Sequence, residues 1–138
     1  MFKAELSKQL MINILDEVGS LSDVTKTLTG AEINMLALCV YEVEGNVAIM
    51  LVTDDNNGAK SLLESCDYNV VEEEVILLEV PNQTGALQVV TDKFRESDIN
   101  MRLLYGSVSE DNDKSMVVII AEDNLDAMMV IKTEIERG

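Results

Sequence analysis

Apolar and polar residues follow two alternating periods along this chain, and the whole alternation occurs twice. Residues 9–15 (QLMINIL) and 74–80 (EVILLEV) are apolar runs of strand length. Each leads into a polar turn that ends in glycine, Gly19 or Gly85. Apolar residues then recur at helical spacing, as Leu21, Val24 and Leu28 in one case and Leu87, Val90 and Phe94 in the other. That spacing predicts an amphipathic helix of about three turns with one buried face. An apolar stretch broken at Glu44-Gly45-Asn46 follows, which reads as a β-hairpin. Its counterpart runs over 99–121 and is interrupted by the polar residues 109–114 (SEDNDK). A second helix is predicted to begin near Asn56, with Ala59, Leu62, Leu63 and Cys66 on one face. Asn124 reads as the N-cap of its counterpart, followed by Ala127, Val130 and Ile131.

Placing each residue against the one 66 positions later brings the two halves into register. Leu10 meets Ile76, Ile14 meets Val80, Gly19 meets Gly85, and Ile33-Asn34-Met35 meets Ile99-Asn100-Met101. Farther on the offset becomes 68, so that Asp55-Asn56 meets Asp123-Asn124 and Ala59 meets Ala127. The two extra residues fall in 109–114, where a hairpin loop absorbs them. The chain is an internal repeat. Each half reads strand, helix, strand, strand, helix, and residues 68–73 (YNVVEE) give the first half a closing strand. The expected fold is α+β: two tandem ferredoxin-like βαββαβ units with antiparallel sheets, over residues 1–73 and 74–138. The second unit has no residues left for its last strand, so the edge at 75–80 would be bare. An apolar bare edge invites aggregation, so another segment, from this chain or a second subunit, should cover it. The Glu72-Glu73-Glu74 run reads as a solvated linker between the halves.

Composition narrows the chemistry. The chain is 47% hydrophobic with only 4% aromatic residues, so its core must rest on Val, Ile, Leu and Met. Met35, Met50, Met101 and Met116 are read as core filling. A formal charge of −16 repels phosphate backbones and anionic membranes, so neither nucleic acid nor membrane is an expected partner. There is no histidine, which removes His-based acid–base chemistry, the histidine-dependent catalytic triads and most zinc sites. Cys39 and Cys66 fit reduced, buried thiols. The N-terminus lacks a signal-peptide pattern, and the expected location is the cytoplasm. Residues 53–64 imitate a calcium loop at Asp55, Asn57, Gly58 and Glu64, but Thr53 stands at the first position and a strand replaces the preceding helix. A strand-to-helix turn with an Asn cap is the simpler reading.

With the repeat and strand order in hand, the sequence resembles a tandem ACT-domain protein over roughly residues 9–132. The resemblance rests on VPNQTGAL (80–87) with DINM in the second half, and on LDEVGSL (15–21) with EINM in the first. Thr84 and Val18 stand where that family usually has proline before the glycine, and Asp16 stands where asparagine is common. The resemblance implies a free-standing regulatory or sensor protein that binds a small ligand, usually an amino acid, at interfaces between ACT units. Sheets of such units commonly pair and one edge here lacks its strand, so the resemblance implies a homodimer; no catalytic residue, metal or cofactor is implied.

A buried amino acid needs partners for its carboxylate and its ammonium. A helix start supplies unpaired N–H groups and a partial positive charge, and a preceding glycine lets the ligand approach the backbone. Gly85, with Asn82, Gln83, Thr84, Ala86 and Leu87, matches that description, and Asn100 with Met101 occupies the family's polar position at the next strand. The corresponding set in the first half is Asp16, Gly19, Ser20, Leu21, Asn34 and Met35. Asp16 and Glu17 would repel a ligand carboxylate, so the neutral second loop is the expected carboxylate site. Gly19 and Gly85 also fit a plain role as turn residues, and Asn34 and Asn100 fit residues that bond to backbone at a helix-to-strand corner. The alternative function is a ligand-free protein–protein interaction or assembly module for a metabolic enzyme. A carboxylate-based enzyme is the weakest reading, since it needs paired acids of perturbed pKa.

Overall fold

Each apolar run becomes a strand and each 3.6-residue stretch a helix in the computed structural model, which describes residues 1–15, 19–107 and 113–136. The order is β1 (Lys3–Leu15), α1 (Ser20–Gly30), β2 (Met35–Val43), β3 (Asn46–Thr53), α2 (Asn56–Ser65), β4 (Val70–Pro81), α3 (Ala86–Glu96), β5 (Met101–Ser107), β6 (Lys114–Ala121) and α4 (Asn124–Val130), continued by a π-helical turn over Ile131–Ile135. Asp16, Glu17 and Val18 lie outside the described residues, as does most of the 109–114 segment.

The chain divides into two compact units, Lys8–Glu73 and Met1–Ser7 with Glu74–Gly138, here called the first and second unit. Strands β2, β3, β1 and the start of β4 serve the first unit in that order. The start of β1, then β4, β6 and β5, serve the second. The hairpins are antiparallel and in matching register, Val40 opposite Ile49 and Gly106 opposite Val117. Both also carry an irregularity at the start of the outer strand, between Met35 and Ala37 and between Met101 and Leu103.

The edge expected to be bare is covered by the chain's own first residues. β1 is far longer than its apolar run suggested, and Ala4 is buried in the same core as Ile76, Leu78 and Val80. The C-terminal helix fastens this strand. The Ala4 N–H donates to Glu136 Oε1 (2.6 Å), and Lys132 Nζ donates to the Ala4 carbonyl (2.7 Å) and to Glu136 Oε1 (2.9 Å). Burial works to raise the Glu136 pKa, but the Ala4 N–H and Lys132 outweigh it and hold the carboxyl below its ordinary value. Both backbone groups of an edge residue are thereby satisfied, which blunts the edge.

The core of the first unit gathers Leu10, Ile12, Ile49 and Leu51 from the strands under Val24, Leu28, Ala59 and Leu63 from the helices. The second unit repeats this with Ile76, Leu78, Val117 and Ile119 under Val90, Phe94, Ala127 and Ile131. Strand interiors of continuous apolar residues, as in β3 and β6, go with burial on both faces.

Several local expectations are corrected. The acidic run at 72–74 is part of β4: Glu73 accepts from Gln9 Nε2 (3.3 Å) and the Glu74 carbonyl from Asn124 Nδ2 (3.1 Å). Strand alternation keeps Glu72 and Glu74 exposed while Val75 turns inward, so a charge run did not require a linker. The helix caps are Asp55 and Asp123, whose carboxylates accept from the N–H groups of Gly58 and of Leu125 and Asp126. Asn56 and Asn124 instead clasp neighbouring strands. Asn56 accepts from the Thr53 N–H and donates to the Lys8 carbonyl, while Asn124 accepts from the Ala121 N–H and donates to the Glu74 carbonyl. Cys39 is half-buried and Cys66 is exposed, because Cys66 falls past the end of α2. Of the four methionines read as core, Met50 is buried, whereas Met101 and Met116 are exposed.

Candidate functional site

Gly85 holds φ +88° and Gly19 holds φ +94°, so both loops turn into their helices through the left-handed conformation that glycine adopts without strain. At the second corner the Ala86 N–H closes onto the Gln83 carbonyl and the Val89 N–H onto Gly85. The Leu87 and Gln88 N–H groups fall in the first turn, where a helix supplies no internal acceptors. The N-cap of α3 is Gly85, which has no side chain to cap it, and the first turn carries no acidic residue. α1 differs: its first turn contains Asp23, a carboxylate already at the positive end of the helix.

A cavity of about 280 Å³ opens beside the start of α3, within the second unit. Val80, Pro81, Leu104 and Val117 form its strand wall. Asn82, Gln83, Ala86 and Leu87 come from the loop and helix start, and Gly106 and Ser115 complete it from β5 and β6. Its size is at the small end of ligand pockets, about 300 Å³ upward. The floor is buried, with Val80, Ala86 and Val117 at 9% exposure or less, while Leu87 stands at the rim. None of these side chains ionises near neutral pH, and the neighbouring Lys114 is paired with Glu79 at 3.4 Å. The loop is anchored by the Asn82 N–H on the Asp113 carbonyl (2.8 Å).

The structure therefore brings four of the expected second-half residues together, Asn82, Gln83, Ala86 and Leu87. Thr84 and Gly85 shape the turn without lining the cavity. Asn100 and Met101 are not brought to it. They lie at the opposite end of β5, about 10–13 Å along the strand from Leu104 at the usual rise. There Asn100 Nδ2 donates to Glu122 (3.3 Å) and its carbonyl accepts from the Glu122 N–H (2.9 Å). A second depression at that end is lined by Asp98, Glu122, Asp123 and Asp126, surroundings that repel a carboxylate. Asn34 lies at the matching corner, where its N–H donates to Asp54 Oδ1 and its carbonyl accepts from the Asp54 N–H, and Met35 packs at the margin of the first core. Gly19, Ser20 and Leu21 open α1, and Asp16 lies outside the described residues.

Leu104, Gly106, Ser115 and Val117 were not anticipated. The signal was available in the repeat: Gly106 stands where the first half has Val40, and Ser115 where it has Val47. Two smaller residues in matched strand positions mark where one corner has room.

The first unit is βαββαβ and the second is βαββα completed by the start of β1, each with a left-handed glycine at its first strand-to-helix turn, which is the fold of two tandem ACT-type units. Solved structures share this fold. Protein BT0572 from Bacteroides thetaiotaomicron matches with TM-score 0.88 and 26% identity over 94% of this chain and 88% of that one. The ligand-free regulatory subunit of aspartate kinase from Thermus thermophilus matches with TM-score 0.68 and 14% identity over 96% of each chain. The regulatory subunit of aspartate kinase from Thermus flavus gives 0.62 and 13% over 95% and 94%. No family model matches the sequence, and no curated protein matches it. Among the described residues no helix is long and apolar enough to cross a membrane.

Proposed function

We propose that this chain is a regulatory or sensor protein that binds a free amino acid and acts by that binding, not by catalysis. The cavity at the start of α3 carries the reading. It joins first-turn N–H groups, suited to a carboxylate, to amide and hydroxyl groups suited to an ammonium, above an apolar floor. The regulatory subunits of aspartate kinase that share the fold support the regulatory role. A thermal-shift panel of the twenty amino acids tests it. One or a few should raise the unfolding midpoint with dose, as linkage requires; no response at millimolar concentration contradicts the reading. Asn100→Ala, at the far end of β5, should leave the response intact.

A second observation favours association of two copies, and with it the homodimer. β2 is an outer strand of the first unit and leaves Leu36, Leu38, Tyr41 and Val43 43–53% exposed. An exposed apolar edge of this length is a pairing surface. Light scattering should return the mass of two chains, and Leu38→Lys should return one. A dimer that responds to no amino acid would favour the assembly-module reading instead.

A further inference from the structure

The lining of the second-unit cavity discriminates among amino acids. Resting on the reading just given, we infer that its ligand is a zwitterion with an uncharged aliphatic side chain, of valine to methionine size. Val80, Leu104 and Val117 give the cavity an apolar wall, two of them under 9% exposed. Its polar atoms sit on Asn82, Gln83 and Ser115, and one zwitterion's two charges use them together with the first-turn N–H groups. Among the described lining residues no ionised side chain is left to pair a third charge. A lysine, arginine, aspartate or glutamate side chain would be stripped of water against valine and leucine without compensation. An aliphatic side chain meets dispersion contacts on three sides, and each further buried methylene should strengthen binding about fourfold.

Size is set by two positions that the repeat identifies. Gly106 brings β5 against β6 so closely that a Cβ there would sit 2.8 Å from the Met116 carbonyl oxygen. Ser115 spares the volume that Val47 fills in the first half. A cavity of about 280 Å³ suits a compact ligand, and Gly106 and Ser115 shape it on the strand side.

Calorimetric titration of the full chain with alanine, valine, leucine, methionine, lysine, glutamate and tryptophan tests this. Affinity should rise from alanine through valine to leucine, with no saturable heat for lysine or glutamate. Ser115→Val should weaken leucine at least tenfold while Ser115→Ala retains most of the affinity; circular dichroism verifies that both variants fold. Lysine or glutamate binding as well as leucine overturns the aliphatic assignment and leaves the amino-acid reading standing. Leucine binding indifferent to Ser115→Val places the ligand elsewhere and overturns the assignment to this cavity. Silence from all seven overturns both.

Discussion

The two glycine corners began as one structure and now differ in three ways. Both turn through a left-handed glycine into a helix that buries matched residues, Val24 and Leu28 against Val90 and Phe94. The first corner has Asp23 in the first helical turn and, in sequence, Asp16 and Glu17 before Gly19; the matching positions before Gly85 and after it carry no acid. The first has Val40 and Val47 on its strands where the second has Gly106 and Ser115. Charge and volume therefore change in the same direction: the second corner carries fewer acids and smaller strand residues. Duplication preserves the frame because the frame is backbone and core, while a handful of side chains makes the two corners different.

The largest effect should come from the helix that presents the open corner. Phe94 is 1% exposed and anchors α3, so Phe94→Ala should cost about 3–5 kcal/mol in denaturant unfolding. Leu28→Ala at the matched position should cost about 3–5 kcal/mol as well, since frames are expected to be equal even where sites are not. A smaller effect separates the strands. Gly106→Ala forces β5 off β6 and should cost about 1–3 kcal/mol. Val40→Ala, at a position 38% exposed, should cost well under that, about 1 kcal/mol or less.

The strand order, the helices and the repeat were all legible, because hydrophobic periods report which face is buried. What covered the second edge was not. Residues 3–8 (KAELSK) are mostly polar and give no strong strand signal, yet they extend β1 because β4 and the Lys132–Glu136 pair offer partners for their backbone. The place of Asn100 relative to the cavity was not legible for a related reason. Apolar-Asn-apolar marks a corner in both halves, but a linear pattern does not say at which end of a strand the cavity opens. The cavity's strand residues became visible only once β5 and β6 were placed in register.

The clasp on Ala4 has no equivalent in the first half, where Glu64 and Tyr68 hold the matching positions of Lys132 and Glu136. Its contribution should depend on pH. The Glu136 pKa is lowered on folding, so its stabilisation is complete above the ordinary value near 4.5 and is lost as pH falls below it. Amide exchange at residues 3–7 should quicken in that range, with no such step in Glu136→Gln; the effect on global stability should stay within about 1 kcal/mol. The smallest change is symmetrical. Glu32 (φ 60°) and Asp98 (φ 59°) hold left-handed positions after α1 and α3, so glycine at either should gain some tenths of a kcal/mol, about equally, in thermal unfolding.

The central claim is that the second corner binds and the first does not, and backbone NMR during titration with leucine tests it most directly. The account predicts progressive shifts of the Leu87, Gln88, Gly106 and Ser115 amides while Ser20, Leu21, Val40 and Val47 stay still. Shifts concentrated at the first corner, or equal at both, would contradict it.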